Sequence, residues 1–213
     1  MIKCLFDPRN HHFASWVWIF NPMTYRSLDP EAPSRPKAAP LHYDAHHGFH
    51  RVVEWLITTC SQDVNNVSGY RASTPLHVAS EYGWSEVMQV LLKHHADVNR
   101  GNVNAWIPLH VALCNYGHEP EIARLLLKHG ANVDRKTKRC STALYLLLRF
   151  DGNQEVARML LERGADPNIR NCDGENALYA ALGNGHPCLI QLLLKHGMSM
   201  AILFHTWPPG EWT

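Results

Sequence analysis

The sequence predicts an all-α solenoid of about five helix-turn-helix repeats with finger loops, preceded by an irregular leader and followed by a short tail. Three observations carry this. A short signature around Pro-Leu-His recurs at a nearly constant step. Each copy runs on into a second apolar segment that ends alike. The flanks on either side lack the period. A chain of this length holds about one domain plus an appended segment.

Composition narrows the class. Lys plus Arg number 20 against 19 Asp plus Glu, with 46% hydrophobic and 18% charged residues. That balance argues against wholesale disorder and against a strongly basic nucleic-acid binder. The six cysteines stand singly, with no C-x-x-C pair, so neither a zinc site nor a disulfide scaffold is expected and a reducing compartment fits best. The early apolar run from Phe13 to Phe20 is too short to span a membrane and lacks a small-residue cleavage site. The expected setting is soluble and intracellular, cytoplasmic rather than nuclear.

Residues 1–38 form the leader. They contain Pro8, Pro22, Pro30, Pro33 and Pro36 and no helical period, so irregular chain is expected. Their aromatics, Phe13, Trp16, Trp18, Phe20 and Tyr25, leave two roles open: docking as a cap on the first repeat, which bare repeat ends favour, or a partner-binding segment.

Residues 39–199 form the array, with copies at about 39–66, 67–99, 100–134, 135–168 and 169–199. Pro40, Pro75, Pro108, Ala143 and Ala177 head the five signatures at steps of 35, 33, 35 and 34 residues. In the second copy Thr74 offers a capping oxygen and Pro75 takes the first helical position, where its missing N–H costs nothing. A helix over Pro75 to Tyr82 follows. Gly83 ends it, Ser85 is expected to cap the second helix, and Val87, Val90, Leu91 and Leu92 line an apolar stripe. Neither helix can bury its face alone, so neighbours must stack. The second helices close on His94-His95-Ala96-Asp97, His129-Gly130-Ala131-Asn132 and Arg163-Gly164-Ala165-Asp166. Here His95 stands where the others have Gly, at a position expected to need positive φ.

These residues resemble the ankyrin repeat, whose signature is T-P-L-H-x-A, then G-H and L-L-L-x-x-G-A-D-V-N. The resemblance covers about three quarters of the chain and implies antiparallel helix pairs with hairpin-like fingers, used chiefly to bind proteins. Departures are Cys60-Ser61-Gln62-Asp63 in the first copy, Ile107 for Thr in the third, and extra residues near Tyr116 to Pro120 and Asp151 to Asn153. The fourth and fifth copies carry Ala-Leu-Tyr for Pro-Leu-His. The leader around Asp7-Pro8 and Trp16-Val17-Trp18-Ile19 is also similar to leaders before ankyrin arrays in large fungal proteins, some with NACHT-type nucleotide-binding domains.

Catalytic chemistry finds little support. There is no G-x-S-x-G, no G-x-x-x-x-G-K-[ST] and no H-E-x-x-H, so no catalytic residue, cofactor or small-molecule substrate is expected. His42, His46 and His50 have metal-ligand spacing, but Gly48 should interrupt their helix and His42 shares its repeat position with His77 and His110. Structural roles suit them better, and no metal is expected.

The resemblance implies a non-catalytic module that binds another protein through finger tips and first-helix ends. The candidates on fingers are Tyr70, Arg71, Trp106, Lys136, Lys138 and Arg139; those on helices are Tyr82, Tyr116, Arg149 and Phe150. Aromatic and Arg side chains are what interface hot spots are made of. The basic run Arg135 to Arg139 suits an acidic partner, whereas nucleic acid is disfavoured for want of a stacking platform. No membrane partner is expected. The alternatives are a sensor or scaffold part of a larger multidomain protein, such as a fungal NACHT-type receptor, or a ubiquitin-ligase substrate adaptor, although residues 200–213 are too few for a SOCS-box or F-box. In the last copy Leu189, Ile190, Leu192, Leu193 and Leu194 are as apolar as in inner copies. The tail, a further repeat or a partner is therefore expected to cover them.

Overall fold

Apolar residues at helical spacing cannot be buried by one short helix, so each pair must lean on the next. In a computed structural model that describes residues 40–69, 71–114 and 120–198, this produces ten helices among the described residues. They are α1 (Pro40–His47), α2 (His50–Cys60), α3 (Pro75–Tyr82), α4 (Ser85–Lys93), α5 (Pro108–Cys114), α6 (Pro120–Lys128), α7 (Ala143–Phe150), α8 (Gln154–Glu162), α9 (Ala177–Gly183) and α10 (Pro187–Lys195). The leader, the tail, Tyr70 and Tyr116 lie outside the described residues. The chain divides into two compact units at Ala96/Asp97. In the first, α1 packs on α3 and α2 on α4. In the second, α5, α7 and α9 form one layer and α6, α8 and α10 the other. The fold is all-α, with one isolated bridge, Ser68 to Ser73, among the described residues.

The helix starts follow from side-chain chemistry. Thr74 caps α3 by accepting the His77 backbone N–H, while the His77 ring accepts the Thr74 N–H at 3.1 Å. Thr142 and Asn176 cap α7 and α9, and the Asn153 side chain caps α8. Gly83 ends α3 with φ +73. The expected Ser85 cap of α4 is corrected: Ser85 is already inside the helix, its hydroxyl bonded to Glu86 at 3.2 Å, and Trp84 holds the cap position with no side-chain bond. The Trp84 side chain is committed elsewhere, to the preceding repeat.

Each unit has its own apolar core. Leu41, Leu56, Leu76, Met88 and Leu91 are fully buried in the first; Leu109, Leu126, Leu144, Leu147 and Leu160 in the second. Burying one such side chain contributes about 1.5–3 kcal/mol. In α10, Leu189 and Leu193 are buried while Ile190, Leu192 and Leu194 are half-buried.

The turn after each second helix explains its polar residues. Asp97, Asn132 and Asp166 each accept the backbone N–H two residues on, at 2.9, 3.0 and 2.9 Å. Asn99 then reaches the next repeat, accepting from Asn132 N at 2.8 Å and donating to Gly130 O at 3.0 Å, and Asp134 accepts from Asp166 N at 3.0 Å. One Asx residue shapes the turn and the other fastens it to its neighbour.

Candidate partner-binding surface

The fingers are built by short polar side chains that replace a strand ladder. Asn102 accepts the N–H groups of Asn104 and Trp106 at 2.9 and 3.2 Å. Asn171 does the same for Asp173 and Glu175, both at 2.9 Å. Thr137 supplies this function in the finger between them, accepting from Ser141 N at 3.1 Å. Fingers also bond one to the next: Lys138 N donates to Asn104 O at 2.9 Å and Cys172 N to Arg139 O at 3.0 Å. The basic run is therefore a braced finger whose Thr137 side chain is buried while Lys136, Lys138 and Arg139 stand exposed. Lys136, Lys138 and Arg139 form no ion pair with a described residue.

Histidines tie first helices to fingers. His42 Nε2 bonds Ser73 O at 2.7 Å, and His110 Nε2 bonds Arg135 O at 2.9 Å. A carbonyl only accepts, so Nε2 carries the proton. The other ring nitrogen of His110 then accepts the Ile107 N–H at 3.1 Å, which is the neutral tautomer. These histidines are structural, as their shared repeat position suggests. Burial holds the His42 imidazole below its ordinary value. Among the described residues, no group of three or more His, Cys, Asp or Glu side chains could hold a metal ion.

The fourth copy solves the same problem with different chemistry. Tyr145, in the His position, donates its hydroxyl to the Glu175 carboxylate on the next finger. Burial, then the Glu175 partner, pushes the Tyr145 phenol up to about 12. Glu175 also receives Asn171 Nδ2 at 3.1 Å.

The sequence candidates divide between the two units. In the first unit Arg71 is exposed on its finger and Tyr82 is exposed at the end of α3, its ring 4.3 Å from that of His46. Phe49 and Trp84 are exposed aromatics of the same unit. In the second unit Trp106 is half-buried, edge-on to the His110 ring with centroids 6.2 Å apart. Arg149 and Phe150 are exposed at the end of α7, and Arg149 meets Asn184 at 3.4 Å. Tyr70 and Tyr116 lie outside the described residues. The structure thus gathers Lys136, Lys138 and Arg139 on one finger and sets Arg149 and Phe150 at a helix end.

Sequence reasoning missed two features. Asp44 is buried in α1 and Cys140 meets Cys172 between fingers. Both had signals: Asp44 occupies the core position filled by Ala79 and Ala112, and the two cysteines lie nearly one repeat apart.

Comparison with known proteins agrees with this geometry. Residues 41–137 match the family described as "Ankyrin repeats (3 copies)" and residues 146–194 that described as "Ankyrin repeats (many copies)". Ankyrin repeat domain-containing protein 13B of Mus musculus is 34% identical over 108 residues, which is 51% of this chain and 17% of that protein. BTB/POZ domain and ankyrin repeat-containing protein NPR5 of Oryza sativa is 39% identical over 74 residues, 35% of this chain and 15% of that protein. BCL-6 corepressor-like protein 1 of Homo sapiens is 35% identical over 108 residues, 50% of this chain and 6% of that protein. The matched stretch is thus a small part of each relative.

Proposed function

Because this chain belongs to the ankyrin repeat family, we propose that it is a non-catalytic interaction module whose partner is an acidic segment of another protein. The observation that carries this reading is the braced finger from Arg135 to Arg139. Its backbone is bonded to the fingers on both sides, so Lys136, Lys138 and Arg139 are presented by a rigid base and little ordering entropy is lost on binding. Trp106, Arg149 and Phe150 of the same unit are the secondary contacts; Arg71 and Tyr82 belong to a separate candidate patch in the first unit. No helix among the described residues is long and apolar enough to cross a membrane.

The test reverses the charges of Lys136, Lys138 and Arg139 to Glu together and measures capture of partners cross-linked to the wild type in cells. Loss of the major partner by about tenfold or more, with melting within about 2 °C of wild type, supports the reading. Undiminished capture at equal stability removes the basic finger from the interface. A second reading, that the chain is a scaffold or adaptor portion of a larger protein, is favoured by the small share of each relative that it covers. Sequencing the transcript on both sides of this reading frame tests it.

A further inference from the structure

Cys140 and Cys172 stand on adjacent fingers of the second unit with their sulfurs 2.7 Å apart, inside van der Waals contact and close to the 2.05 Å of a bonded pair. Both are free thiols, Cys172 exposed and Cys140 half-buried. Three features put them there. The Cys172 N–H donates to the carbonyl of Arg139, the residue before Cys140, at 3.0 Å. Cys140 takes the left-handed turn of its finger, with φ +58. The Cys172 sulfur also lies 3.8 Å from Lys138 O. A bond between the two sulfurs would therefore add to a finger-to-finger contact already made by the backbone. Exposed Lys136, Lys138 and Arg139 share a finger with Cys140 and outnumber the exposed Asp173 beside Cys172, a net positive charge that attracts an oxidant bearing carboxylates.

We propose that Cys140 and Cys172 form a reversible dithiol–disulfide site, oxidised by an anionic low-molecular-weight disulfide of the glutathione class. The Cys172 thiol loses its proton to solvent, and its sulfur attacks one sulfur of the small disulfide. That S–S bond breaks as a mixed disulfide forms, and the first small thiolate leaves and takes up a proton. Cys140, deprotonated in turn, attacks the Cys172 sulfur and displaces the second small thiol. Two protein thiols are thus oxidised by two electrons to one disulfide, and one small disulfide is reduced to two small thiols. The hydrogen bond to Cys140, with the Asp173 carboxylate adding to it, holds the Cys172 thiol above its ordinary range while the Lys136 charge opposes this. An exposed disulfide in a reducing compartment is of the labile, regulatory kind. The thiol chemistry does not depend on the proposed partner, although it falls on the same finger. It would fasten the basic finger to its neighbour covalently.

The experiment treats the full, fully reduced chain with glutathione disulfide and follows it by intact-mass and non-reducing peptide mass spectrometry. The expected product is a Cys140–Cys172 cross-linked peptide pair, reversed by excess glutathione, with little adduct at Cys172. In the Cys140→Ser variant the Cys172 mixed disulfide should accumulate at least about tenfold more than in the wild type, because the tethered thiol that normally resolves it acts at millimolar effective concentration or above. Exposed Cys188 is the internal control for accessible thiols. The proposal falls if the wild type carries glutathione at Cys172 as heavily as the variant, or if Cys188 is modified while Cys140 and Cys172 remain reduced. It also falls if the pair is protected by a bound soft metal ion that a chelator removes. Since the main readout is on the wild type, misfolding of a variant leaves the test intact.

Discussion

Trp84 covers Gly48: its indole Nε1 donates to the carbonyl of His46 at 2.9 Å, and a Cβ at Gly48 would meet its Cδ2 at 2.8 Å. The second unit repeats the arrangement with His186 over Gly152, where a Cβ would approach the ring to 2.5 Å. The residue before a second helix thus packs on the turn of the repeat before it. That contact explains why Trp84 caps α4 only through its backbone.

Gly48→Ala should destabilise the first unit by about 1–3 kcal/mol, since the added methyl meets both the indole and a backbone at φ +75. Denaturant unfolding measures it. Trp84→Ala in the same chain should recover part of the loss by removing the clash and not the φ cost. Equal stability of Gly48→Ala and wild type would show that the indole has another resting place.

His95 adopts φ +64 where Gly130, Gly164 and Gly197 have +84 to +86. A Cβ at those glycines would meet nothing within 4 Å, so the cost at His95 is conformational and not steric. His95→Gly should stabilise by roughly 1 kcal/mol. A melting temperature that falls on this change would show that the His95 side chain contributes more than its backbone costs.

Asp44 is 2% exposed and fills a position that is a buried alanine or leucine in the other copies, as at Ala79, Ala112, Leu147 and Ala181. Burial pushes its carboxyl from 3.8 up to about 7. The unfolded chain gives up this proton first, so its contribution to stability is full below about pH 4, declines as pH rises through 7 and stays low above. His42 and His46 act in the opposite sense: burial lowers both imidazoles, so stability is lost as pH falls below their ordinary 6.5. Asp44→Ala should raise stability at pH 8 by a few kcal/mol, on the order of what such a shift represents, and leave only the histidine slope. Hydrogen-exchange protection across α1 and α2 between pH 5 and 8 reports it. An unchanged pH profile would show that Asp44 is solvated.

The helix pairs were legible because their signals are local. Thr74, Pro75 and Gly83 mark the ends of α3 by backbone geometry alone, and the leucines of α4, α6 and α8 declare a buried face by spacing. The basic finger was legible as a charge run, but its bracing by Asn104 and Cys172 was not, because both partners lie outside its own segment.

The sequence by itself determined the repeat, its period, the ends of α3 and the family to which it belongs, since each rests on interactions within one repeat length. Only the tertiary structure decided that Tyr145 replaces a His–carbonyl bond with a phenol–carboxylate bond, that Asp44 lies in the core, and that Cys140 meets Cys172. Each of these depends on which residue of one copy faces which residue of the next. The physical reason is that stacking sets this register through backbone bonds between fingers and turns, whereas periodicity along the chain records only that such neighbours exist.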